Sequence, residues 1–131
     1  MDAILPGSTD QTTYFRMRDS TTGLAKTGLT FESAGASCSF TRNRAAAVEI
    51  PLVALASADA PHTDGGFIKV SDTIAKGLCR LDLPDAAVIA GSRTFCVSIE
   101  FDGVIEETKE ILLDGSAAAN FTTEGQNITV R

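Results

Sequence analysis

The residue types that could do chemistry are few and scattered. The single histidine, His62, sits in a Pro/Asp/Gly loop, PHTDGG. Serine and aspartate are plentiful, so a Ser-His-Asp relay could be assembled from letters alone. There is no G-x-S-x-G elbow, however, and no spacing ties His62 to a nucleophile. A solvent-exposed loop histidine is the expectation. Glycoside hydrolysis would need two carboxylates facing each other across a cleft. Asp82 and Asp85 flank Pro84, where aspartate serves turn geometry. Glu106, Glu107 and Glu110 fall along one predicted strand, as a wet face or a charge-protected edge. Asp59, Asp64 and Asp72 stand in loops and could offer oxygens to calcium, but not at EF-hand spacing. No glycine loop of the phosphate-binding type opens a helix. The sequons at Asn120 and Asn127 are common by chance and carry no weight without an export signal. These residues define no catalytic, cofactor-binding or metal site, and the chain is expected not to be an enzyme.

The three cysteines, Cys38, Cys79 and Cys96, show no C-x-x-C pair, so neither zinc nor a thioredoxin-like motif is indicated. An odd count fits poorly with a disulfide framework. Cys38 and Cys79 fall on predicted inward faces, where a free thiol behaves as a small hydrophobe. The expectation is three reduced cysteines and synthesis in a reducing compartment.

Composition narrows the class. A chain of 131 residues suits one domain, able to bury roughly two-thirds of the surface it exposes unfolded. With 44% apolar and 21% charged residues it has the balance of a globular domain, not a disordered one. The net charge of −6 opposes a phosphate-neutralising surface, so no nucleic-acid partner is expected. Arg16, Arg18, Arg42 and Arg44 read as solvated strand faces. The opening MDAILPGSTDQ lacks the basic region and apolar run of a signal peptide. The longest uncharged apolar run, residues 50–58, contains Pro51 and is too short to cross a bilayer, so no membrane partner is expected.

The elements that would position these groups are strands. Residues 76–106 organise the rest. Gly77 opens a strand with Cys79, Leu81 and Leu83 on one face and Arg80 and Asp82 on the other. Pro84 ends it, and residues 84–91 make a short crossing with one helical turn. The clearest alternation follows: Phe95, Val97, Ile99 and Phe101 against Thr94, Cys96, Ser98 and Glu100. Asp102-Gly103 then reads as a hairpin turn. Such a one-faced strand must bury that face against a second layer.

In order, residues 1–13 read as a polar N-terminal arm outside the core. Residues 14–19 form the first strand, with Phe15 and Met17 inward. Residues 29–31 make a short strand partner, and residues 37–42 a strand with Cys38 and Phe40 inward. Residues 48–52 continue as strand through Val48, Ile50 and Leu52, with Pro51 marking an edge. Residues 53–60 are Ala-rich and suit a helical turn. Residues 67–70 and 104–113 complete the set. Residues 114–131 read as a linker and C-terminal arm ending in a strand through Ile128 and Val130. The whole is an all-β, antiparallel Ig-like β-sandwich of about eight short strands, domain 14–113, with extended terminal arms.

Two stretches carry a family resemblance. The run GLCRLDLPDAA (residues 77–87), preceded by DGGFIKV (residues 64–70), resembles the small Ig-like β-sandwich domains of tailed-bacteriophage virion proteins. YFRMRDSTTG (residues 14–23) and TGLT (residues 27–30) resemble the same group. The likeness extends to the N-terminal domain of baseplate upper proteins and to small head or tail proteins, and covers about residues 14–113. In such domains the strand after the glycine often carries a tyrosine two positions on. Here Cys79 stands there, so a tyrosine-corner bond would be lacking. The resemblance implies a virion location after synthesis in the host cytoplasm. It also implies a structural protein, most naturally a capsid cement or decoration protein acting by assembly. The implied partners are other virion proteins, with a homo-oligomer, a trimer foremost. A tail, baseplate or neck adaptor of the same fold is the alternative. A carbohydrate-binding module is the second, weakened by the absence of Trp and the single Tyr14.

Overall fold

The alternation around Phe95 finds its second layer. The computed structural model describes residues 2–114. In chain order its elements are β1 (Asp2–Ile4), β2 (Thr12–Arg16), β3 (Ser37–Arg42), β4 (Val48–Glu49), β5 (Val53–Ala54), β6 (Gly66–Lys69), β7 (Leu78–Asp82), α1 (Asp85–Val88), β8 (Thr94–Glu100) and β9 (Glu107–Leu113). They form two sheets, ordered β1-β9-β8-β3-β4 and β2-β7-β6-β5. The sheets pack face to face as a β-sandwich. β8 runs between β3 and β9, with Phe40 opposite Val97 and Phe95 opposite Ile111. Its inward side chains, Phe95, Val97 and Ile99, are buried, as is Phe101 just beyond. From the facing sheet come Phe15, Phe67, Cys79 and Leu81. The Phe67 and Phe101 rings meet between the layers with centroids 5.4 Å apart.

The helical turn after Pro84 is present as α1, and Pro84 precedes it with φ −66°, the value its ring imposes. Gly77 has φ +81°, and a Cβ there would lie 2.7 Å from the Met17 carbonyl. That is why a glycine opens β7. Cys38 and Cys79 are buried and Cys96 is half-buried, all as free thiols.

Several expectations are corrected. The sandwich is not purely antiparallel: β1 pairs with β9 and β5 with β6 in parallel. Residues 2–13 are not an arm outside the core, since Ile4 and Thr13 are buried and β2 begins at Thr12. One inward side chain suffices for a three-residue strand whose backbone is paired, and that leaves no periodicity to read. After Ile4 the chain turns at Pro6-Gly7, where the Gly7 N–H donates to Val88, and crosses to the other sheet. Residues 29–31 are not a strand, although Leu29 is buried. The strand at 48–52 stops at Glu49; Val48 is exposed while Ile50 is buried. Residues 53–54 are strand β5, not helix. The Asp102-Gly103 turn exists, with Val104 N–H bonded to the Phe101 carbonyl. It is not a tight hairpin, because Val104 bridges to Asp19 and β9 starts only at Glu107. The expected C-terminal strand lies outside the described residues.

Lys109 occupies the inward register of β9, opposite Val97. Its stem runs out between the sheets, with the ammonium 5.0 Å from the Phe15 ring centre. There it donates to Thr13 Oγ1 and to the Tyr14 carbonyl. The β2–β7 bonds run through Gln11 and Met17, so the alternation turns the Tyr14 carbonyl outward. An inward-register lysine therefore occupies the open edge of β2.

Two measurements check this core. Phe95→Ala should destabilise by about 3–5 kcal/mol in denaturant unfolding; a loss below about 1 kcal/mol would mean the strand faces are reversed. Burial pushes the thiols of Cys38 and Cys79 up to about 12. In a thiol-reagent assay at pH 8, Cys96 should label in the native protein, and the other two only once it is unfolded.

Candidate functional site

Asp82, a turn former by its place beside Pro84 in the sequence, is the most buried polar side chain among the described residues. Arg80 and Asp82 are two apart on β7, so they share the face opposite Cys79 and Leu81. That face should be wet, yet Arg80 is 6% exposed and Asp82 is 0% exposed. The cause is the connection from β5 to β6, which folds back over the outer face of this sheet. The guanidinium grips Asp82 as a fork, Nε to Oδ1 at 2.8 Å and Nη2 to Oδ2 at 2.9 Å. Its remaining nitrogen donates to the Ala58 carbonyl at 2.9 Å. Thr63 N–H donates to Oδ2 at 3.0 Å and the Thr12 hydroxyl to Oδ1 at 2.8 Å. One carboxylate thus ties β7 to β2 and to the covering loop. Burial pushes the Asp82 carboxyl up. The Arg80 fork, the Thr63 amide and the Thr12 hydroxyl more than offset that, and hold it below the usual carboxylate range.

His62 is the second correction. Its side chain is 9% exposed, so it is not a solvated loop histidine. Nε2 lies 3.1 Å from the Gln11 carbonyl and 3.0 Å from the Leu83 carbonyl. Both can only accept, which assigns the proton to Nε2. Nδ1 faces the Asp10 and Asp64 carboxylates at 3.4 and 3.8 Å. The ring makes no hydrogen bond to a hydroxyl or thiol among the described residues, and its work is to join residues 10–11 to the loop and to the end of β7.

The remaining candidates are kept apart. Asp59 takes the Ser57 hydroxyl, Asp64 stands beside His62, and Asp72 takes Lys69 Nζ and the Gly28 amide. The calcium grouping is therefore not assembled, and no cluster of metal-ligating side chains occurs among the described residues. Asp85 accepts from the Asp10 amide at 3.1 Å. Glu106 and Glu110 are exposed. Arg16, Arg18 and Arg42 each donate to backbone carbonyls, those of Lys76, Gly23 and Ala87. Arg16 in β2 and Arg42 in β3 stand on opposite sheets, and Arg18 lies beyond the end of β2. Asn120 and Asn127 lie outside the described residues.

What the fold does offer is a groove beside β5. It has a volume of about 310 Å³, floored by Ala54, Leu55, Phe67 and Ile68 and walled by Leu29 and Phe31. Glu32 and Lys69 stand at its rim. An apolar cavity of about 150 Å³ takes one benzene-sized group, so this groove has room for about two side chains. β5 is the last strand of its sheet. Val53 N–H donates to the Gly65 carbonyl at 3.0 Å, so strand alternation turns the amide and carbonyl of Ala54 away from β6, onto the open edge of β5 beside the groove. Ala54 itself is exposed. Nothing in the sequence marked this site, because its walls come from three separate segments.

Comparison with protein-family models, curated proteins and solved structures returns no match for this chain.

The Arg80–Asp82 pair makes a signed pH prediction. The folded carboxyl titrates lower than the unfolded one, so the folded state binds fewer protons in between. Its contribution is complete above the unfolded value of about 4 and is lost as pH falls through the lower native value. Asp82→Asn, which strands the buried guanidinium, should cost about 3–5 kcal/mol at pH 7. It should also flatten the acid limb of a stability-against-pH curve. An unchanged acid limb would mean that other carboxylates govern acid unfolding.

Proposed function

We propose that this chain is a non-enzymatic structural protein that works by subunit assembly, in the virion of a tailed phage. Within the virion the reading is a capsid cement or decoration protein. The observation that carries the assembly part is the contrast between two sheet edges. Lys109 occupies the edge of β2, whereas β5 presents an outward backbone beside an apolar groove. An open edge with an adjoining pocket is the geometry of strand addition, in which main-chain bonds give affinity and alternate side chains give specificity. Repetition by symmetry would multiply a modest contact of this kind. The virion part rests on the sequence resemblance over about residues 14–113. A tail, baseplate or neck adaptor would use the same surface and differ only in copy number. The carbohydrate-binding reading rests on the exposed Tyr14, one ring on a strand edge.

Light scattering on the purified protein should give a closed oligomer, a trimer foremost. Mass-spectrometric counting in purified particles should give hundreds of copies for a capsid location and a handful for tail or neck. A protein that stays monomeric at all concentrations and is missing from particles would end this reading.

A further inference from the structure

We propose that the groove beside β5 receives residues 121–131 of a neighbouring copy of this chain. The inference rests on the assembly reading and names the partner at that site. The segment reads FTTEGQNITVR. Ile128 and Val130 are two apart, so both project to one side of an extended strand. The groove has room for about two aliphatic side chains. Ile, Thr and Val in succession favour extended backbone, which the outward amide and carbonyl of Ala54 would pair. Charge fits as well. At the rim Lys69 is already joined to Asp72, which leaves the exposed Glu32 as the acidic side chain facing the basic Arg131 of the incoming segment.

The assembly reading, and not the length of the tether, selects a neighbour over the same chain. Leu113 donates to the Arg93 carbonyl, at the start of β8. The groove wall at residues 29–32 leads to Ala34, whose carbonyl takes the Asp102 amide just past the other end of β8. The donor segment thus leaves one end of the sandwich and the groove opens toward the other. The Gly/Ser/Ala-rich residues 115–119 precede the segment, and residues 115–127 can extend about 40 Å at about 3.3 Å each. That exceeds the length of the seven-residue β8, about 23 Å, so the tether reaches the groove of the same chain or of an adjacent molecule placed head to tail, and the oligomeric state separates the two. A head-to-tail contact between identical copies closes into a ring when its rotation permits.

A complementation experiment in the full chain tests this. Ala54→Arg blocks the groove at an exposed position. Ile128→Asp with Val130→Asp spoils the segment. Each variant should melt as the parent does and be monomeric by light scattering. Mixed one to one, they should form heterodimers, because one retains a groove and the other a segment. A mixture that stays monomeric, or either variant assembling like the parent, overturns the proposal. Should Ala54→Arg fail to fold, Glu32→Arg and Arg131→Glu replace it. Each alone should weaken assembly by about tenfold and the pair should restore it; no restoration overturns the proposal. A parent that never assembles removes the assembly reading itself. A parent that assembles regardless of groove and segment removes only this inference.

Discussion

The fold depends on one carboxylate. Asp82 has no exposed surface, and its two oxygens accept from Arg80, Thr63 and Thr12. Those partners belong to β7, the covering loop and β2. The loop has to cross the outer face of the sheet to carry the chain from β5 into β6, and it brings backbone groups that need partners. Arg80 meets the Ala58 carbonyl and Asp82 meets the Thr63 amide. A buried ion pair is costly unless every donor and acceptor is matched, and no buried side-chain nitrogen or oxygen among the described residues lacks a partner. The pair acts as a latch for the loop more than as a net source of stability.

His62 repeats this logic at the next turn of the loop. Its Nε2–H is shared between two carbonyls, one in the N-terminal segment and one just after β7. With Gly65 N–H bonded to the Asp82 carbonyl, the loop is held along its length. The groove inherits its shape from this. β5 lies where it does because the loop beyond it is fastened, and Leu55 is pressed against Gly66, where a Cβ would meet its side chain at 2.6 Å. The latch that fastens the loop therefore also fixes the position of the β5 edge.

The two edges of this sheet are managed differently. An unpaired edge invites pairing with any extended chain, and proteins blunt it with charge or cover. At β2 a lysine reaches from the inward register of the opposite sheet to take the outward carbonyl. At β5 the strand is only two residues long, and the adjoining surface is apolar. A short edge limits promiscuous pairing, while a pocket restricts the guest to side chains that fit. Glu32 and Lys69 stand charged at the rim, the lysine joined to Asp72.

The sequence by itself determined the centre of the sandwich. The alternation at Phe95, Val97, Ile99 and Phe101 has one physical reading, since a period of two with large apolar groups fits only a strand with one dry face. The strand at Ser37–Arg42, the turn after Pro84 and the inward Cys38 and Cys79 followed from the same period and from proline's missing amide. What only the tertiary structure decided lies at the edges and on the outer face. β1, β4 and β5 are two or three residues long, too short to show a period, and their strand character comes from the neighbours they pair with. Arg80, Asp82 and His62 are polar letters in positions that alternation assigns to water. Arg80 and Asp82 are dry because a loop remote in sequence folds over them, and His62 because it sits in that loop against residues 11 and 83; no local pattern records where a loop will lie. The groove, built from residues near 30, 54 and 67, was invisible for the same reason: its apolar walls are brought together only by the packing of segments that share no period.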